Sequence, residues 1–319
     1  MANDDDPTLA ELGEFTVIDR LIAAGRQPGS VLIGPGDDAA LLTATDGRVL
    51  VSTDMLVEGR HFRLDWSSPH DVGRKAIAQN AADIEAMGGR PAGFVVAFGA
   101  PADTPASQVA ALSEGMWAEA ARAGGAPIVG GDLVRSPQWV VSVTVFGELD
   151  GRRAVERGGA RAGDVVAVAG DLGRSAAGYA VLTAGTPDFP DLCRRHLVPE
   201  PPYGQGPRAA DAGATAMTDV SDGLIADLRH IAASSGVGID LTTPGLAADR
   251  DAVAAAAAQL GVDPWSWVLG GGEDHALVAC FPGAPPPGWR VIGSVSSGDP
   301  RVRVDGHDWT GYAGWESFN

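Results

Sequence analysis

The chain has 319 residues, 23 basic and 41 acidic, and a net charge of −18. That length predicts two domains, each with enough chain for a core, while the charge excludes nucleic acid and anionic membranes as partners and favours cations. Cys193 and Cys280 stand in no paired-ligand spacing, which indicates neither zinc nor a disulfide framework; the acidic start and the lack of any 18-residue apolar run predict a cytoplasmic protein without a membrane span.

Residues 1–10 read as a disordered acidic tail, and 14–24 as a short amphipathic helix with Phe15, Ile18, Leu21 and Ile22 on one stripe. The stretch from Gly36 to Phe62 carries the first chemistry. It holds Gly36-Asp37-Asp38-Ala39-Ala40, a short apolar strand at 49–51, then Ser52-Thr53-Asp54 and Glu58-Gly59-Arg60-His61-Phe62. Two adjacent carboxylates about 4 Å apart repel by on the order of 4 kcal/mol at an effective dielectric of about 20. A cation between them relieves this, and hard oxygen donors in this number suit Mg²⁺ or Mn²⁺. The alternative is a plain turn, which Gly-Asp-Asp also forms.

Ser68-Pro69-His70-Asp71 reads as a helix start, with Ser68 as cap, Pro69 at the first helical position and Asp71 completing a capping box. The helix is expected to reach Met87 and stop at Gly88-Gly89. Its apolar face is Ala76, Ile77, Ile84 and Met87, so Asn80 and Asp83 fall on or beside it. An inward carboxylate needs a partner, either a metal or a structural hydrogen bond or ion pair. Strands are expected at 93–98 and 126–129 with a helix at 106–123 between them, an α/β arrangement. The second strand is read as ending in Gly130-Gly131-Asp132, where glycines let backbone N–H groups approach a phosphate. Residues 139–148 alternate as a strand with one buried face.

The chain turns at Asp150-Gly151, and a domain boundary is placed there, giving domains 1–149 and 150–319. A glycine-rich polar loop carries Arg157, either a phosphate clamp or a solvated charge. A buried strand at 165–169 and a helix at 175–184 follow, and Pro199-Glu200-Pro201-Pro202 is a rigid connector. Thr218-Asp219-Val220-Ser221-Asp222-Gly223 leads into a helix with Leu224, Ile225, Leu228 and Ile231 inside. Asp219 and Asp222 stand three apart and can face one cavity; the competing reading makes Ser221 or Asp222 a helix cap. An alanine-rich helix at 249–260 carries no evident chemistry. Gly270-Gly271-Gly272-Glu273-Asp274 precedes a strand at 276–280, and the tail from Trp309 is aromatic, either core or a stacking face for a flat or cationic ring.

The order GDDAA, STDMLVEGRHF, KAIAQNAADIEAMGG, GGD, RGGARAGD, DVSDGLIADL and GGEDHAL resembles the thiamine-monophosphate kinases of the PurM-like ATP-binding superfamily, over nearly the whole chain. The resemblance implies an N-terminal α/β domain whose sheet forms the core of a homodimer, followed by a C-terminal α/β domain. It implies phosphoryl transfer from ATP to thiamine monophosphate with several Mg²⁺ ions. Carried over by position, the metal ligands are Asp38, Ser52, Thr53, Asp54, Asp83, Asp132, Asp219 and Asp222. ATP contacts are Gly131, Asp132, Arg157 and Ser221, and substrate contacts are His61, Glu273 and Tyr312. The chain departs from the family pattern at Gly158-Gly159, where a hydroxyl is common, and at His275, where tyrosine is usual.

No Walker lysine motif and no protein-kinase catalytic loop occurs. A phosphate monoester has its second pKa near 6, so the acceptor oxygen is already anionic and no catalytic general base is expected. Positioning and metal electrostatics are left to do the work. Of the related enzymes, selenophosphate synthetase is disfavoured because no cysteine precedes Cys193, and the hydrogenase-maturation dehydratase because the chain ends Ser317-Phe318-Asn319. Aminoimidazole ribonucleotide synthetase and a non-catalytic Mg-nucleotide binding module are the remaining alternatives.

Overall fold

The computed structural model describes residues 6–12, 16–17, 20–21, 28–33, 41–186 and 188–315. It divides into two compact units, one of residues 1–84 and 90–150, the other of residues 85–89 and 151–319.

In the first unit, β1 (Val31–Ile33) and β2 (Leu41–Leu42) form a small antiparallel ribbon. The main sheet has the order β3 (Leu50–Val57), β6 (Val140–Glu148), β4 (Arg90–Ala100), β5 (Ile128–Arg135). β4 and β5 are parallel and joined by the Ala106–Arg122 helix, which is the crossover a parallel pair requires. One sheet face is covered by the Pro69–Ala86 and Ala106–Arg122 helices. Glycines set how closely these pieces approach. A Cβ on Gly73 would stand 2.0 Å from Leu112 O, one on Gly115 2.0 Å from His70 O, and one on Gly147 2.5 Å from Ile84 Cγ2. Val143, Val145, Phe94, Ile77 and Ile84 fill the space between sheet and helices.

The Pro69–Ala86 helix starts as its sequence dictates: Asp71 N–H donates to Ser68 Oγ at 3.2 Å, and Ser68 Oγ donates to Asp71 Oδ2 at 2.7 Å. It stops at Gly88, which is left-handed at φ 77° and donates its N–H to Glu85 O.

Several expectations need correction. The part of the acidic tail among the described residues, 6–12, is tied down: a Thr8–Glu11 capping box opens the Leu9–Leu12 turn, and Leu9 N–H donates to Thr104 O. The expected helix at 14–24 lies mostly outside the described residues. The strand expected at 49–51 runs over eight residues, Leu50–Val57, of which Leu56 alone is fully buried. Val51 and Met55 are 58% and 52% exposed, because β3 alternates with Leu50, Ser52, Asp54 and Leu56 turned to the helices. The strand expected at 126–129 is Ile128–Arg135, so Gly130-Gly131-Asp132 lies inside a strand and not at its end. Gly131 is glycine for packing, since a Cβ there would come 2.1 Å from Val96 O on the paired strand.

The second unit holds a seven-stranded sheet in the order β13, β12, β9, β11, β7, β10, β8. These are β7 (Val165–Ala169), β8 (Ala216–Asp219), β9 (Gly238–Leu241), β10 (Leu277–Phe281), β11 (Arg290–Ser296), β12 (Val302–Val304) and β13 (His307–Asp308). β7 and β10 are buried almost throughout, and the strand ladder is antiparallel except between β9 and β12. Leu224, Ile225, Leu228 and Ile231 of the Leu224–Ser235 helix are fully buried in the core, in agreement with their spacing. The alanine-rich helix, Ala247–Leu260, does carry one functional-looking group. Asp249 is buried and takes two hydrogen bonds from Arg290, at 2.6 and 2.7 Å, which the sequence does not announce because Arg290 stands 41 residues away.

Candidate active site

In the first unit, strand alternation and one helix turn bring three of the expected residues together. Ser52 and Asp54 both face the Pro69–Ala86 helix. Ser52 Oγ donates to Asp83 Oδ2 at 2.6 Å, and Asp54 N–H donates to Asn80 Oδ1 at 3.1 Å. Asn80 is buried and is itself held by donation from Nδ2 to Ala76 O at 2.8 Å. Asp83 is half-buried, so the inward pointing read from helical spacing is correct, and its described partner is a hydroxyl.

Thr53 and Asp132 point elsewhere. Thr53 Oγ1 meets Thr144 Oγ1 at 3.1 Å and donates to Val143 O at 3.0 Å. Asp132 is aligned with Ala97, which is aligned with Ser142, which is aligned with Met55, so it shares their exposed face. Their side chains are on the opposite side of the sheet from Ser52, Asp54 and Asp83, as period-two alternation requires. Gly131 lies within β5 beside them. Asp38 lies outside the described residues.

His61 sits in the turn after β3, closed by a bridge between Glu58 and Phe62. Its Nδ1 accepts from Val57 N–H at 3.0 Å, so the neutral ring carries its proton on Nε2. The fully buried Lys75 donates to His61 O at 2.9 Å, and Glu58 Oε2 accepts from Trp139 N–H at 3.0 Å. The turn is thus fastened at three points.

The second unit gathers the remaining expected residues around the end of β8. Asp219 is buried and Asp222 half-buried. Burial, followed by the neighbouring Asp219 charge, pushes the Asp222 carboxyl above its usual range. Neither Ser221 nor Asp222 caps the following helix. That position belongs to Gly223, and Asp227 Oδ2 takes the N–H groups of Asp222 and Gly223 at 3.2 and 3.0 Å. Asp227 was missed by sequence reasoning, although an acid in a first helical turn is the signal for such a role. Burial, then Asp219, pushes it up to about 7. Arg157 is exposed and its Nε donates to Thr218 Oγ1 at 3.2 Å, one residue from Asp219.

The 270–275 loop docks onto this turn. Glu273 N–H donates to Ser221 O at 2.8 Å and His275 N–H to Val220 O at 2.9 Å. Gly272 has no room for a Cβ, which would stand 2.4 Å from Ser221 O. Glu273 and His275 adopt left-handed φ of 62° and 52°, a conformation that costs a side-chain-bearing residue about 1 kcal/mol or more. Between them Asp274 points inward and accepts from Gly173 N–H at 2.5 Å and Ser175 N–H at 2.8 Å. Its burial pushes the carboxyl up to about 7 despite those two donors. His275, the departure from the family's tyrosine, packs with Nδ1 3.1 Å from Asp219 Oδ2.

Tyr312 is placed by the tail, which passes so close to Gly270 that a Cβ there would come 2.2 Å from Tyr312 O. Trp309 Nε1 donates to that same carbonyl at 2.9 Å, and Trp315 N–H donates to Asp222 O at 3.0 Å. Tyr312 and Trp315 are 55% and 53% exposed, so of the two readings of the tail these residues fit the stacking face, while Trp309 packs against the core.

The oxygen-only donors Ser52, Asp54 and Asp83 in one unit, and the mutually repelling Asp219 and Asp222 in the other, fit a hard divalent cation in chemistry. Among the described residues no three His, Cys, Asp or Glu side chains converge on one point.

The family models for AIR synthase related protein match twice, the N-terminal domain over residues 36–149 and the C-terminal domain over residues 161–270. With the two units above, this defines a two-domain protein of the AIR synthase related, PurM-like class. A thiamine-monophosphate kinase of Mycobacterium tuberculosis is 68% identical over 314 residues, 98% of this chain and 94% of the relative. The crystal structure of thiamine-monophosphate kinase from Stenotrophomonas maltophilia K279a is 32% identical, covers 93% of this chain and 98% of that one, and superposes with a TM-score of 0.78. The structure of AaThiL complexed with AMPPCP and TMP is 30% identical, covers 99% and 100%, and has a TM-score of 0.75. The chain belongs to the thiamine-monophosphate kinase family.

Proposed function

We propose that the chain transfers the γ-phosphoryl group of ATP to the phosphate of thiamine monophosphate, giving thiamine diphosphate and ADP. The observation that carries this reading is the 68% identity over 98% of the chain to a protein of that activity. In the transfer, an acceptor phosphate oxygen forms the new bond to the γ-phosphorus as the bond to the ADP oxygen breaks, directly and in line. The acceptor is anionic near neutral pH, so no side chain is assigned as a base.

The roles assigned to residues are those that the family resemblance carries over by position. Asp38, Ser52, Thr53, Asp54, Asp83, Asp132, Asp219 and Asp222 would hold several Mg²⁺ ions. Thr53 would do so through its backbone carbonyl, since its side chain faces away from Ser52 and Asp54, and Asp132, on that opposite face, would serve a separate ion. Bound Mg²⁺ would neutralise the phosphates and hold donor and acceptor in place. Arg157, Gly131, Asp132 and Ser221 are assigned to ATP, with Arg157 favoured by its exposed guanidinium, held by Thr218 Oγ1. His61 would donate from Nε2, Glu273 would face the cationic thiamine moiety, and Tyr312 would stack on it. In this reading the N-terminal domain is 1–149, the C-terminal domain 150–319, and the protein is cytoplasmic; no helix among the described residues is long and apolar enough to cross a membrane.

A homodimer formed through the exposed face of the β3–β6–β4–β5 sheet belongs to the same proposal. It is supported by Val51, Met55 and Val134, each more than half exposed on that sheet.

ADP release from ATP with Mg²⁺ is measured with thiamine monophosphate, free thiamine or formylglycinamidine ribonucleotide as acceptor. Turnover is expected with thiamine monophosphate alone. Turnover with the ribonucleotide would overturn the reading in favour of aminoimidazole ribonucleotide synthetase chemistry, and nucleotide binding without ADP release would leave a binding module.

A further inference from the structure

We propose that His196 is a positioning residue for Glu273, and through it a determinant of affinity for the thiamine moiety; the inference rests on the kinase reading above. His196 closes the Pro190–Leu197 helix and is 8% exposed. Its Nδ1 stands 3.4 Å from Glu273 Oε2 and 3.2 Å from Ser175 Oγ. The Glu273 carboxylate only accepts, so Nδ1 serves it by carrying the ring proton, while the Ser175 hydroxyl can meet Nδ1 in either role.

The ring is held on further sides. Tyr179, half-exposed on the Arg174–Ala184 helix, meets it edge to face at a centroid distance of 5.3 Å. A Cβ on Gly178 would come 3.1 Å from His196 Cβ, so the two helices touch at this residue. Ser175 is itself fixed, because its N–H donates to Asp274, the residue next to Glu273. The contacts therefore form a closed circuit from Glu273 through His196 and Ser175 back to Asp274.

That circuit supplies what the loop backbone leaves open. Glu273 has its backbone set by its left-handed φ and by donation to Ser221 O, but neither fixes where the end of a three-torsion side chain points. A carboxylate meant to face a cationic ligand benefits from being held in one rotamer before binding, since freezing it afterwards weakens affinity. His196 is in place to do this, and nothing in its sequence neighbourhood, Cys193-Arg194-Arg195-His196, distinguishes it from a helix-end cation.

The test uses the full chain and compares His196→Leu, His196→Asn and Glu273→Gln, with far-UV circular dichroism and melting curves for each. Losing a polar contact with a charged group corresponds to about a tenfold loss in affinity. His196→Leu is therefore expected to raise KM for thiamine monophosphate about tenfold, with KM for ATP and kcat changed less than about twofold. Calorimetric Kd for thiamine monophosphate should move in parallel. Asparagine, whose amide reaches the place of Nδ1, should recover most of the loss. With Glu273→Gln already present, His196→Leu should add little. Equal effects on both substrates, additive effects with Glu273→Gln, no recovery by asparagine, or a leucine variant that does not fold would each overturn the proposal and show His196 to be a packing residue. Absence of turnover with thiamine monophosphate in the unsubstituted protein would instead sink the kinase reading, and the two failures are told apart by that control.

Discussion

Asp227 is the group whose replacement should change stability most informatively. Its carboxylate is 2% exposed, one oxygen accepts two backbone N–H groups, and the charges of Asp219 and Asp222 oppose its ionisation. Its pKa rises from 3.8 to about 7 on folding. An acid with a raised folded-state pKa holds its proton in the native state after the unfolded chain has released it. Native stability therefore falls as pH rises from about 4 to about 7, and above that the native protein carries the full cost of ionisation. About three pH units at about 1.4 kcal/mol each give roughly 4 kcal/mol as an upper bound. Asp227→Asn removes the charge, and because both N–H groups go to the same oxygen, its carbonyl can keep both bonds. Finding a partner for the new NH₂ group costs about 1–2 kcal/mol, so a net gain of about 2–3 kcal/mol is expected at pH 8. At about 2–4 °C per kcal/mol for a unit of this size, calorimetry in chelator should show the melting of the second unit rise by roughly 5–10 °C at pH 8. Near pH 4, where native Asp227 is already neutral, the gain should be replaced by a loss of about 1–2 kcal/mol, the cost of the new NH₂ group. A gain of equal size at both pH values, or none at pH 8, would refute the argument that buried charge is the cause.

Ser52→Ala removes the 2.6 Å hydrogen bond to Asp83 and one oxygen donor; ADP formation should drop by about tenfold or more, with circular dichroism unchanged. Asp54→Asn should abolish most turnover and reduce the gain in melting temperature that Mg²⁺ with ATP gives the unsubstituted protein; unchanged turnover at limiting Mg²⁺ would reject its assignment. Met55→Asp puts a charge in the middle of the exposed sheet face, and sedimentation velocity should show the mass of a dimer fall to that of one chain. Ser68→Ala breaks the capping box of the Pro69–Ala86 helix at a cost of about 1 kcal/mol, visible as a lower melting temperature of the first unit without a change in KM.

Local rules carried the sequence reading a long way, and long-range contacts account for where it stopped. The capping box at Ser68 and Asp71, the glycine stop at Gly88 and the buried stripe of the Leu224–Ser235 helix depend on residues within a few positions of each other, and all were legible. Asp83 was placed correctly because helical spacing fixes a face. Strand lengths were short by several residues at β3 and β5, since Gly130 and Gly131 signal a turn in isolation and only the approach of Val96 O shows why the strand holds a glycine at 131. The splitting of Ser52 and Asp54 from Thr53 follows from period two once β3 is known to include them, yet a strand ending at residue 51 hides it. Asp249 with Arg290 and Asp274 with Ser175 are pairs distant in sequence, and no spacing rule links such residues.

The left-handed backbone at Glu273 and His275 has an implication for anyone engineering this protein. A survey for stabilising changes would select glycine at both positions, because each would relax a conformation that only glycine adopts at no steric cost. Heat resistance gained in that way would come from erasing the carboxylate assigned to the ligand and the imidazole beside Asp219. Libraries scored on survival at high temperature alone would therefore enrich inactive protein at this loop, and a screen has to read thiamine diphosphate at the same time.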